Sequence, residues 1–298
     1  MTGPRTGGEP FRRCAHQNLM TGVPTITPDL AELKSPMKST WMAGDFGQIA
    51  NFTAQEAGDF VRRIGIPPGV SVLDVACGTG NTAIPAAKAG ASVTGVDIAT
   101  NLLAQAQKRA KSEQLEIRFE EGDAEDLPYE DHAFDVVLTM FGAMFAPRPE
   151  RVAAELIRGC KPGGIIAMAN WTPQGFVGKS FQITSQMVPP PPVSPPVLWG
   201  DESVVRQRLG NLTTSVTCTR QNARFAYPFT PREVVDFFRV TSALRRCRFP
   251  DWMQPDRRPW QRSWNHSGWS TTWQATERPS STRNISRSAR VARRAGSW

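Results

Sequence analysis

The stretch Val72-Leu73-Asp74-Val75-Ala76-Cys77-Gly78-Thr79-Gly80 constrains the fold of this 298-residue chain more than any other. Four apolar residues around one acid fit a buried strand, and the two glycines end it in a sharp turn. Neither glycine has a Cβ, so the backbone can turn tightly there and a ligand can lie directly against it. The helix predicted next, from about Thr82 to Gly90, points its first N–H groups at that ligand.

Two further acids stand at matching places. Asp97 ends the next apolar run, Ala91 to Val96, 17 residues beyond Gly80. At the carboxyl end of a second strand, a carboxylate can accept hydrogen bonds from both hydroxyls of a ribose. A third strand, predicted over about Glu116 to Glu120, brings Asp123 toward the same crevice, where it and neighbouring backbone can read an adenine edge. Taken singly, Asp74 and Asp123 also fit plain turn or cap roles. Cys77 fits a small residue in a tight turn better than a nucleophile.

Gly78-Thr79-Gly80-Asn81-Thr82-Ala83 matches the relaxed dinucleotide pattern G-x-G-x-x-A, so a nicotinamide-dependent oxidoreductase is an alternative. Two features weigh against it. Asp74 stands on the first strand, where dinucleotide folds usually carry an apolar residue or glycine. The ordered acids Asp74, Asp97 and Asp123 also suit a cationic cofactor better than a pyrophosphate.

The combination resembles the class I S-adenosylmethionine-dependent methyltransferases. It is carried by Val72 to Asn81, Val93 to Ile98, Gly122 to Val137 and the closing Cys160-Lys161-Pro162-Gly163-Gly164-Ile165-Ile166-Ala167. The resemblance spans about Trp41 to Phe238. The local pattern Ala124-Glu125-Asp126-Leu127-Pro128-Tyr129 is similar to the quinone-methylating, small-molecule branch. It implies an α/β, Rossmann-like fold: a mostly parallel twisted sheet with helices on both faces. It further implies S-adenosylmethionine as cofactor, with Asp74, Gly78 and Gly80 around its methionine end and Ala76 and Ile98 among the cofactor-binding residues. Asp97 would hold the ribose, Asp123 and Ala124 the adenine, and Phe141 would line the cofactor or the acceptor. No catalytic base is implied. Trp41, Phe46, Phe141, Met144, Phe145, Trp171 and Trp199 suit either an apolar acceptor pocket or ordinary core packing. His132, in the polar turn Glu130-Asp131-His132, is a poor choice of base.

The net charge of +8 is a nucleic-acid signal in size but not in place. Residues 243–298 hold 12 Arg and 3 acids, a net of +9, which leaves −1 for residues 1–242. A nucleic-acid-binding role therefore rests on the tail alone and is disfavoured. Five cysteines, an odd set without a C-x-x-C pair, suit a reducing cytoplasm and give no metal site. No apolar run approaches the ~20 residues of a membrane span. The expected partner is a small-molecule methyl acceptor. Oligomeric state is not legible.

Along the chain, residues 1–19 form a doubtful, patternless extension and Met20 is the expected natural start. Residues 20–65 read as a helical cover, with a helix over Ala54 to Ile64 capped by Thr53 and Glu56. Residues 66–239 make the methyltransferase domain, interrupted at 172–200 by a proline-rich insertion whose Val188 to Val197 run suits extended polyproline conformation. A helix from Asp201 to Leu209, a strand from about Thr213 to Tyr227 and a helix from Pro231 to Phe238 complete it.

Residues 240–298 lose all periodicity and carry six of the nine tryptophans. Codons AGG AAT ATC TCG AGG TC for Arg283 to Ser288, read from the third letter, give Glu-Tyr-Leu-Glu-Val, a strand-like segment. The same shift yields family-like matches over Trp264 to Glu277 and after Val240. The pattern predicts a single-nucleotide insertion or deletion near codon 240 and an irregular tail. In the resembled family the last strand runs antiparallel between the fifth and sixth, so its loss would leave ladder groups unpaired.

Overall fold

A computed structural model describes residues 30–187, 190, 192–241 and 283–293. Three helices come first: α1 (Leu30–Ala43), α2 (Phe46–Asn51) and α3 (Ala54–Ile64). Strands and helices then alternate through β1 (Ser71–Val75), α4 (Ala83–Lys88), β2 (Ser92–Asp97), α5 (Thr100–Ser112), β3 (Arg118–Glu121), β4 (Phe134–Met140), α6 (Pro149–Gly159) and β5 (Cys160–Trp171). They are followed by α7 (Phe176–Met187), α8 (Glu202–Leu209), β6 (Thr213–Arg224), α9 (Pro231–Thr241) and β7 (Arg283–Arg293).

The strands form one sheet in the order β3-β2-β1-β4-β5-β7-β6. β1 to β5 pair in parallel, and β7 runs antiparallel to both β5 and β6. β6 is therefore parallel to β5, and the loop after it leaves from the same edge as the loops after β1 and β4. That edge, where the chain order reverses between β1 and β4, is where open α/β sheets bind ligands.

Period-two alternation sends successive side chains of one strand to opposite faces. Leu73 and Val75 join Val152, Leu156 and Trp199 in one core; Val72 joins Phe60, Ala86, Leu103 and Ala106 in the other. α3, α4 and α5 thus cover one face, and α6 and α8 the other. Strands buried on both sides read as near-continuous apolar runs, which is why β1 was legible.

Three local expectations are corrected. Thr53 does not cap α3: its hydroxyl donates to Ala50 O (3.0 Å), and Glu56 accepts from Arg224 N (3.1 Å), a tertiary contact that displaces the capping box. Residues 172–200 are not simply a proline-rich break. Within them lie α7 and a 3-10 turn at Pro196–Gly200, with Trp199 buried. The tail is not irregular throughout, because residues 283–293 form β7, paired on both sides despite lacking apolar periodicity. This is the segment that the shifted frame reads as a strand. As written, it sets Arg287 opposite Arg220 and Arg283 opposite Arg224. The readings of residues 1–29, of Val188, Pro189 and Pro191 in the polyproline run, and of the rest of the tail lie outside the described residues.

Candidate functional site

β1 carries Asp74 into the interior, where it is completely buried. Its Oδ2 accepts the Thr82 hydroxyl at 2.6 Å, while Oδ1 has no partner among the described residues. Burial, opposed by bonds from Thr82 and the Ala83 amide, pushes its pKa from 3.8 up to about 7. Cys77 lies buried in the turn, and burial followed by the charges of Asp74 and Asp97 pushes its thiol up. A thiol held protonated is no nucleophile, so Cys77 serves the turn as a small filler.

The turn itself is built from left-handed residues: Ala76 (φ 54°), Gly78 (φ 55°) and Gly80 (φ 78°). The two glycines differ in purpose. A Cβ on Gly78 would meet nothing within 4 Å among the described residues, so its backbone is open on that side. A Cβ on Gly80 would stand 3.3 Å from the Phe119 ring and 3.5 Å from Ala106, so Gly80 lets α4, α5 and β3 pack closely.

Asp97, at the end of β2 and 8% exposed, spans the same turn. Its Oδ2 accepts Gly78 N and its Oδ1 accepts Ala99 N, both at 2.8 Å. Burial raises its pKa, and the amides of Ala99, Gly78 and Ile98 pull it back. Ile98 thus serves through its backbone. The structure therefore brings Asp97 onto the glycine turn as the spacing implied.

The Asp97 carbonyl accepts Gly122 N (3.1 Å), which sets Asp123 immediately beside the end of β2. Asp123 Oδ1 accepts Glu125 N (2.9 Å), holding a tight loop through Ala124, and its Oδ2 pairs with Lys34 of α1. That ion pair was not anticipated. Lys34 also reaches Glu125 at 2.8 Å, and Lys38 pairs with Glu121, so α1 is clamped across the loop expected to meet the adenine.

Phe141 follows β4 with φ 61°, a strained geometry for a bulky residue, and donates its N–H to Ala169 O (2.9 Å). Its ring stacks on Trp171, with centroids 3.6 Å apart and planes 8° from parallel. A Cβ on the next residue, Gly142, would stand 2.3 Å from Ala76 O, so the ends of β4 and β1 touch through backbone. Trp41 lies 4.7 Å from Phe46 and 5.0 Å from Phe145 between ring centroids. Met144 and Trp199, both 1% exposed, are ordinary core. His132 sits at φ 60° in its turn, with ring Nδ1 3.4 Å from Cys160 O.

Sequence reasoning missed the braces around the turn. Arg109 of α5 donates to Thr79 O (2.6 Å), Thr79 Oγ1 (3.1 Å) and Asn81 Oδ1 (2.8 Å). Asn81 in turn donates to Ala50 O (2.8 Å), tying α2 over the site. Glu125, completely buried, accepts from Arg148 N (2.6 Å) and Nε (2.8 Å). An arginine on an amphipathic helix carries no sequence mark of such a role, because solvent is its usual partner.

The residues present fit S-adenosylmethionine. The orphaned Asp74 oxygen is a buried acceptor that suits an ammonium, and the open face of Gly78 leaves room against the backbone. Sheet order, switch-point crevice and acid-lined glycine turn together define a class I methyltransferase domain. A methyltransferase-domain family model matches residues 72–164. An uncharacterised protein of Mycobacterium tuberculosis is 38% identical over 221 residues, covering 72% of this chain and 81% of that protein. A demethylmenaquinone methyltransferase of Renibacterium salmoninarum is 38% identical over 116 residues, 39% of this chain and 47% of that protein. The solved structure of a magnesium protoporphyrin IX methyltransferase from Synechocystis, with SAH bound, matches with a TM-score of 0.54 at 15% identity over 87% of this chain and 99% of that one. The chain belongs to the class I S-adenosylmethionine-dependent methyltransferases.

Proposed function

We propose that this protein transfers a methyl group from S-adenosylmethionine to a small, apolar or aromatic molecule. The observation that supports the reading is the bond from Gly78 N to Asp97 Oδ2 (2.8 Å), which joins the glycine turn after β1 to the end of β2 beside the switch point of the sheet. Asp74 receives the ammonium of the methionine end. Gly78 gives backbone contact, and Asp97, braced by Gly78 N and Ala99 N, accepts the ribose hydroxyls. Asp123 and Ala124 border the adenine, which requires Asp123 Oδ2 to exchange Lys34 for the base.

The cofactor, when bound, supplies a methyl already activated by a sulfonium. What remains for the chain is alignment and exclusion of water. Phe141 and Trp171 wall the methyl end with aromatic surface, and α1 and α2 cover the crevice. The acceptor chemistry follows from those walls: an apolar or aromatic body is matched there, and a polyanion is not. Among the described residues no helix is long and apolar enough to cross a membrane. The odd set of cysteines suits a reducing compartment, the cytoplasm.

Calorimetric titration of S-adenosylmethionine tests the reading. Saturable binding is expected, weakened at least about 10-fold in Asp97→Asn, which loses charge at the ribose position. Folded wild-type protein that binds no S-adenosylmethionine refutes it.

A further inference from the structure

The loop after β6 holds a polar group that the proposed chemistry has not used. Tyr227 is 7% exposed and its hydroxyl has no hydrogen-bond partner among the described residues. Aromatic rings surround it: Phe52 at 4.5 Å between centroids, Phe225 at 5.6 Å and stacked, Phe238 at 5.9 Å and Phe237 at 6.0 Å. A buried hydroxyl left unpaired weakens a fold, and phenylalanine would fill the same space without that cost.

Its place in the fold joins it to the methyl end of the crevice. Because β6 is parallel to β5, Phe225 and Tyr227 emerge at the edge that carries Phe141. The rings run on from one to the next: Phe141 on Trp171 at 3.6 Å, Trp171 to Phe225 at 5.4 Å, then Phe225 to Tyr227. From the other side Phe52 directly follows α2, the helix tied to the glycine turn through Asn81. Tyr227 therefore lies where the aromatic wall meets the helical cover.

We infer that the Tyr227 hydroxyl binds the methyl acceptor, donating a hydrogen bond to an oxygen carried on an aromatic ring, as in a phenol. The inference rests on the methyltransferase reading above. It narrows that reading from any apolar acceptor to an oxygenated aromatic one. Burial raises the Tyr227 pKa, so the hydroxyl keeps its proton and acts as donor. Aromatic neighbours supply the stacking surface, and the single donor fixes which ring edge faces inward.

The test is a two-by-two cycle of probe and residue. The dissociation constants of 4-ethylphenol and ethylbenzene are measured by ligand-observed NMR on the full chain and on its Tyr227→Phe variant. The ethylphenol preference is expected to fall about 5- to 30-fold in Y227F, with S-adenosylmethionine affinity within about twofold of wild type. Y227F is also expected to melt at or above the wild-type temperature, since it removes an unpaired hydroxyl. An unchanged probe ratio, no probe binding by the wild type, or a lower melting temperature in Y227F each overturns the assignment. The probe ratio is read without cofactor. Failure of the hydroxyl assignment is thus distinct from failure to bind S-adenosylmethionine, which defeats the wider reading.

Discussion

Replacing Asp74 by asparagine separates the charge of the buried acid from its shape. The carboxyl has a pKa of 3.8 ordinarily and about 7 in the fold. Below about pH 4 both folded and unfolded chains hold the proton, and the group has no effect on stability. Between about pH 4 and 7 the folded chain keeps a proton that the unfolded chain has released, so stability falls as pH rises. The full loss, reached above about pH 7, is on the order of 4 kcal/mol. The asparagine side chain has no proton to lose, yet its amide oxygen can still accept from Thr82 as Oδ2 does now. Urea unfolding from pH 4.5 to 8 should therefore show a wild-type decline that Asp74→Asn largely abolishes, leaving the variant the more stable protein at pH 8. Binding should move the other way. An ammonium beside Oδ1 favours the ionised acid, so S-adenosylmethionine should release close to one proton per site at pH 6, measured by calorimetry in buffers of different ionisation enthalpy. The variant should release none and bind at least about 10-fold more weakly. Equal pH slopes for wild type and variant would refute the placement of this proton.

Three further outcomes are expected. Gly78→Ala puts a Cβ into open space at φ 55°, so it should cost about 1–2 kcal/mol in stability and a larger factor in cofactor affinity. Gly80→Ala meets Phe119 instead and should act mainly on stability; urea unfolding beside cofactor titration distinguishes the two, and identical profiles would contradict the division. Arg109→Met removes three bonds to the turn and should raise the cofactor Kd about 10-fold with no effect on probe preference, measured by the same titrations. DNA sequencing across codons 236–244 should show a frame that close relatives do not share. A frame-corrected chain should unfold at higher temperature, because its Glu-Tyr-Leu-Glu-Val segment puts better strand formers where β7 now reads Arg283 to Ser288.

The locally encoded parts of the fold can be read from neighbouring residues. β1 was legible because burial on both faces demands an apolar run, and the turn because Gly78 and Gly80 adopt backbone angles that few other residues tolerate. Asp97 was legible by its position at the end of a strand whose start the apolar run marks. The remaining contacts form between residues distant in the chain. Glu56 looks like a capping residue, yet the Arg224 amide, 168 residues away, claims it. Asp123 looks free to meet a ligand, yet Lys34 from α1 lies on it. Arg109 and Tyr227 carry no mark of their places, because an arginine on a helix and a tyrosine after a strand are commonplace. β7 is held by partners on both sides and not by its own periodicity. These contacts join residues far apart in the chain, and a pattern read over neighbouring positions cannot contain them.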